Sequence, residues 1–92
     1  MISVPSRTNI LDDVIAVLEK DLGVQSSTAI NEDTRFFADL GLASIDAVVV
    51  SERLQEYYGR PLPFSELMAE LGRKTERDLK IGELVEFLAA NL

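Results

Sequence analysis

Apolar residues return at every third or fourth position in separate stretches of this 92-residue chain, and that period commits it to helices packed face to face. Near the start, Leu11, Val14, Ile15, Leu18 and Leu22 share a stripe, with Thr8 placed to cap their helix and Gly23 to stop it. The spacing predicts a first helix over residues 8–22. Near the end, Ile81, Leu84, Val85 and Leu88 repeat the pattern and predict a last helix over 80–91, weakened at its start by Gly82. Pro63 stands at the first position of a short third helix that carries Phe64, Leu67, Met68 and Leu71 on one side. The polar residues 72–79 after it read as a solvated connection.

Residues 44–58, Ser-Ile-Asp-Ala-Val-Val-Val-Ser-Glu-Arg-Leu-Gln-Glu-Tyr-Tyr, are long enough for a helix despite their β-branched run, and Gly59 ends them. At about 100° per residue, Ala47, Val50, Leu54 and Tyr58 gather on one side as a core stripe. Ile45, Val48 and Val49 gather on the other, continued by Glu52 and Glu56. A helix apolar on two sides is either buried on both or offers the second to a partner, with apolar anchors at its start and carboxylates beyond to steer a basic surface.

The stretch from Gly23 to Ala43 is long for a loop and needs a reason to be ordered. Val24, Ile30, Phe36, Phe37, Leu40 and Leu42 are scattered through it and can tie it to the bundle without regular structure. The length suits one domain, residues 1–92, around a single modest core.

A formal charge of −7, from 16 acids against 9 bases, argues against nucleic acid and for basic protein partners. Residues 1–59 hold ten acids and four bases, so the acidity lies mainly in the first two thirds. Cysteine and histidine are both absent, which removes disulfides, thiolate nucleophiles and zinc sites of the usual kind, and no metal site is expected. No apolar run approaches the roughly 20 residues of a membrane span, and no signal-like start is seen, so the expectation is a cytoplasmic, monomeric protein. A hydrolase built on Ser44 would lack the base that a serine nucleophile needs. On its own, Ser44 reads as a helix cap.

The residues Phe37-Ala38-Asp39-Leu40-Gly41-Leu42-Ala43-Ser44-Ile45-Asp46 nevertheless resemble the motif of acyl carrier proteins, in which phenylalanine, Asp-Leu-Gly and a modified serine keep this spacing. The order of elements resembles that family over nearly the whole chain. The resemblance implies an all-α four-helix bundle with a long ordered loop between helices one and two and a short third helix. It implies 4′-phosphopantetheine joined covalently to Ser44 by a separate phosphopantetheinyl transferase, with acyl groups carried as thioesters on the terminal thiol. Such a protein is not an enzyme; it serves acyl-loading, condensing or other thioester-using enzymes in fatty-acid, polyketide or related biosynthesis. The family's second helix is its usual recognition element, which maps onto Ile45, Val48, Val49, Glu52 and Glu56, with Asp39 and Leu42 as secondary contacts. Ala43 departs from the aspartate that often precedes the serine, and Val49 from an acid often found there. An unmodified carrier-like module that docks through helix two is the alternative.

Overall fold

The computed structural model describes residues 6–25, 29–75 and 78–92; residues 1–5, residues 26–28 of the long loop and residues 76–77 of the polar connection lie outside the described residues. Helices α1 (Arg7–Asp21), α2 (Ser44–Tyr58), α3 (Phe64–Arg73) and α4 (Ile81–Asn91) follow one another, with no strand among the described residues. This is the all-α four-helix architecture that the resemblance implies.

Helix α1 begins earlier than its spacing predicts. Ser6, not Thr8, is the cap, its Oγ accepting the Asn9 N–H at 3.2 Å. Its fully buried face is Ile10, Val14, Val17 and Leu18, while Leu11, Ile15 and Leu22 are only partly covered. The buried face is thus rotated from the predicted stripe, because α1 sits against α4 and α2 together and its centre faces the seam between them. Past Leu22 the chain turns at Gly23 with φ +66°, where glycine avoids the penalty of the left-handed region.

Pro63 proves to be the residue before α3, with ψ 59°, instead of its first helical position. Phe64 and Leu67 are buried beneath α3 and Met68 and Leu71 partly so, as the stripe predicts. In α4 the buried side is Ile81, Leu84, Val85 and Leu88. Gly82 is there for closeness, not as a weak point. Its N–H donates to the Glu32 carbonyl at 2.8 Å, and a Cβ at this position would lie 2.9 Å from the Glu32 Cβ and carbonyl oxygen.

That approach belongs to a short ladder. Phe36 N–H donates to the Leu79 carbonyl at 2.8 Å and Ile81 N–H to the Thr34 carbonyl at 2.9 Å. Residues 78–82 are therefore a strap across the long loop, and Leu79, 3% exposed, is part of the core. The solvated connection expected at 72–79 is corrected at its end: a leucine there has apolar surface to bury, and it pulls its neighbours inward. Among the described residues the loop also buries Phe36 and partly buries Val24, Ile30, Phe37, Leu40 and Leu42, so side chains hold it alongside the ladder.

Candidate cofactor attachment site

The turn that leads into α2 is closed by its own residues. Asp39 Oδ2 accepts the Arg35 N–H at 2.8 Å, while the N–H groups of Asp39 and Leu40 both donate to the Arg35 carbonyl. Gly41 N–H donates to the Phe37 carbonyl at 3.0 Å, and Gly41 reverses the chain at φ +66°. In the Asp-Leu-Gly text, then, aspartate ties the turn, leucine packs partly into the core and glycine supplies a backbone angle that other residues rarely adopt.

Ala43 follows in extended conformation and is the residue that caps α2; Ser44 is the first residue inside the helix. The cap is made backwards: Asp46 Oδ2 accepts the Ala43 N–H at 2.8 Å, half of a capping box. Reading Ser44 as the cap is thus corrected. Its hydroxyl is exposed and takes no part in closing the helix. Among the described residues, the N–H groups of Ser44 and Ile45 meet no protein acceptor, as expected at the positive end of a helix. Phe37, Ser44, Met68, Leu71 and Gly72 line an open depression of about 340 Å³ between the turn, α2 and α3.

Along α2 the two apolar sides separate cleanly. Val50 and Leu54 are 2% and 0% exposed and Ala47 is buried with them, whereas Ile45 is 67% and Val48 50% exposed. Val49 is half-buried at the edge of the outer face, and Glu52 and Glu56 are exposed farther along it. Glu56 is paired with Arg53 at 3.3 Å, an exposed pair of little energetic weight. Of the secondary positions, Leu42 is half-buried against the core and Asp39 is occupied in its turn, 43% exposed. The structure therefore brings Ser44, Ile45 and Val48 together at one end of α2 and runs the carboxylates away from them.

One residue at this site escapes the sequence reading. Asp78, on the strap, reaches the turn from below: Oδ1 accepts the N–H groups of Phe37 at 3.0 Å and Leu79 at 2.8 Å, and Oδ2 accepts that of Ala38 at 3.1 Å. Burial by itself would raise this carboxyl, but the three N–H donors and nearby Arg35 outweigh it and hold the group below the usual carboxylate range. Nothing local marks Asp78 out. It is one acid in a polar stretch, and the only hint is that the leucine after it must be buried somewhere.

A family model described as a phosphopantetheine attachment site matches residues 12–73, well over half of the chain. The matched span takes in most of α1, the long loop, α2 and α3, and stops before the strap and α4. No curated protein matches.

Proposed function

The chain belongs to the family of phosphopantetheine attachment sites, and from that premise we propose that Ser44 takes the arm and that the protein is an acyl carrier protein of fatty-acid, polyketide or related thioester-based biosynthesis. Domains of this family carry 4′-phosphopantetheine covalently, are generally not catalytic, and work with a transferase and with thioester-using enzymes. The observation that carries the assignment is the state of the Ser44 hydroxyl: exposed, at the first position of α2, and released from capping by Asp46.

The residues present fit the group. Ser44 and Ile45 present uncommitted N–H groups at the positive end of the helix dipole, which would favour a phosphodiester held on Ser44 Oγ. The nearest carboxylate in sequence, Asp46, is turned back onto Ala43 and engaged there. When bound, the arm supplies the thiol that the cysteine-free chain lacks.

Ser44 Oγ attacks the β-phosphorus of coenzyme A; the O–P bond forms as the pyrophosphate P–O bond breaks, and adenosine 3′,5′-bisphosphate leaves. The serine proton passes to a base of the transferase, since the nearest carboxylate of this chain in sequence, Asp46, is turned back onto Ala43. Ile45 and Val48 are the apolar anchors for that enzyme and later partners, Val49 their half-covered neighbour, and Glu52 and Glu56 the steering charges; Asp39 and Leu42 lie at the rim. In this reading the described helices form a single carrier domain around one core, monomeric and cytoplasmic, with no catalysis of its own. Among the described residues, no helix is long and apolar enough to cross a membrane.

Intact-protein mass after incubation with coenzyme A and a broad-specificity phosphopantetheinyl transferase tests the proposal. The expected result is a gain of one phosphopantetheine per chain, abolished in Ser44→Ala. A protein that stays unmodified with several transferases is an interaction module instead.

A further inference from the structure

We propose that Asp78 is a positioning residue for the modification of Ser44: from the strap before α4, its carboxylate fixes the turn that sets where the serine stands. The inference rests on Ser44 being the attachment residue, and it concerns a residue outside the span that the family model matches.

The turn over residues 35–41 closes itself through Arg35, Asp39, Leu40 and Gly41, but not at its middle. Phe36 is buried beneath it, but the N–H groups of Phe37 and Ala38 point to no partner inside the turn; both end on Asp78. Bonds from N–H groups to an ionised carboxylate are among the stronger kind, and this carboxylate collects three with its two oxygens. Asp78 is itself held. Its neighbour Leu79 is buried, and the Leu79 carbonyl accepts the Phe36 N–H, so the side chain is presented from a fixed backbone.

From Phe37 the path to Ser44 is short. The Phe37 carbonyl receives the Gly41 N–H, which closes the turn two residues before Ala43, the cap of α2. The Phe37 side chain lines the same depression as Ser44. Releasing residues 37 and 38 thus loosens both the approach of the chain to the serine and one wall beside it, while the outer face of α2, where Ile45 and Val48 stand, is left as it was. Small displacements of a reacting group cost catalysis far more than they cost binding.

The test is phosphopantetheine transfer from coenzyme A with a broad-specificity transferase, run as a kinetic series over carrier concentration, together with amide hydrogen exchange on the unmodified protein. In Asp78→Asn, which keeps the shape but loses one acceptor oxygen, the amides of Phe37 and Ala38 should exchange faster. The kcat of transfer should fall roughly tenfold with little change in KM. Val17→Ala, a core truncation in α1 away from the turn, lowers stability but should move neither constant, which separates positioning from general destabilisation. Asp78→Glu keeps the charge with its oxygens displaced and serves as the deciding variant if the asparagine form does not fold; it too should show faster exchange at Phe37 and Ala38 and a reduced kcat. A folded Asp78 variant with loosened amides and a kcat within twofold of native, or with an effect on KM alone, overturns the proposal. Native protein that is never modified on Ser44 overturns instead the attachment reading on which the proposal rests.

Discussion

A hydroxyl at the mouth of a helix can react only if the helix does not need it. At α2 the need is met from the third helical residue, since Asp46 accepts the Ala43 N–H and leaves Ser44 exposed one step inside. Ala43 offers no side-chain oxygen to the first turn, so the cap is only half made. Ala43→Asp should complete it, raising the stability of the unmodified protein by about 0.5–2 kcal/mol, whereas Ser44→Ala should leave it within about 0.5 kcal/mol. Urea unfolding of the two variants beside the native chain measures both, and a loss near 1 kcal/mol in Ser44→Ala would show the serine to be the cap after all. This arrangement is only half legible in the sequence. Serine is a favoured capping residue and alanine is not, so Ser44 reads as the cap until the aspartate two residues later is seen to reach back. Thr8 and Ser6 pose the same ambiguity, and it is Ser6 whose Oγ accepts the Asn9 N–H and caps α1.

At the scale of elements, α2 is the helix whose sequence says most. Its two apolar sides are read from periodicity alone, and the structure places Leu54 and Val50 on the inner one and Ile45 and Val48 on the outer. Val48→Glu should leave the unfolding midpoint almost unchanged and weaken transfer through KM, while Leu54→Ala should cost about 2–5 kcal/mol as a core truncation. Equal destabilisation by the two would mean that both faces are covered. Long-range pairing is what periodicity does not carry. Nothing in residues 32–38 or 78–82 alternates in a way that announces their ladder, and the bond from Phe37 to Asp78 spans 41 positions. Gly82 shows the difficulty: from helix propensity it is a flaw, and only the presence of Glu32 against it explains the missing side chain.

Across the whole molecule, the same groups that join its parts set its response to pH. Asp78 binds strap to turn. Glu83 accepts from the Lys80 N–H and pairs with Lys74; burial would raise its carboxyl, but these partners hold it below its ordinary value. Groups lowered on folding add stability above the unfolded carboxylate range near about 4 and lose it as pH falls through their lower folded values. The urea midpoint should therefore drop as pH falls below the ordinary carboxylate value near about 4, and less steeply in Asp78→Asn. At the other limb, Tyr57 and Tyr58 both donate to Asp13, tying the end of α2 to α1. Burial first, and then the bond to Asp13, raises Tyr58; for Tyr57 the bond comes first. That contribution is present below the ordinary phenol value near about 10 and is lost as pH rises through the higher folded values. Phenolate absorbance should appear later in the folded protein than in urea; coincident titrations would contradict the clasp.

All of these features converge on where the arm is attached, and that is settled most directly by fragmentation mass spectrometry of the peptide containing residues 36–53 after transfer from coenzyme A. The peptide holds Ser44 and Ser51, the latter with its hydroxyl donating to the Val48 carbonyl at 2.7 Å inside α2. One phosphopantetheine, on Ser44, is expected in every modified chain. Modification on Ser51 or elsewhere, or modification that persists in Ser44→Ala, would contradict it.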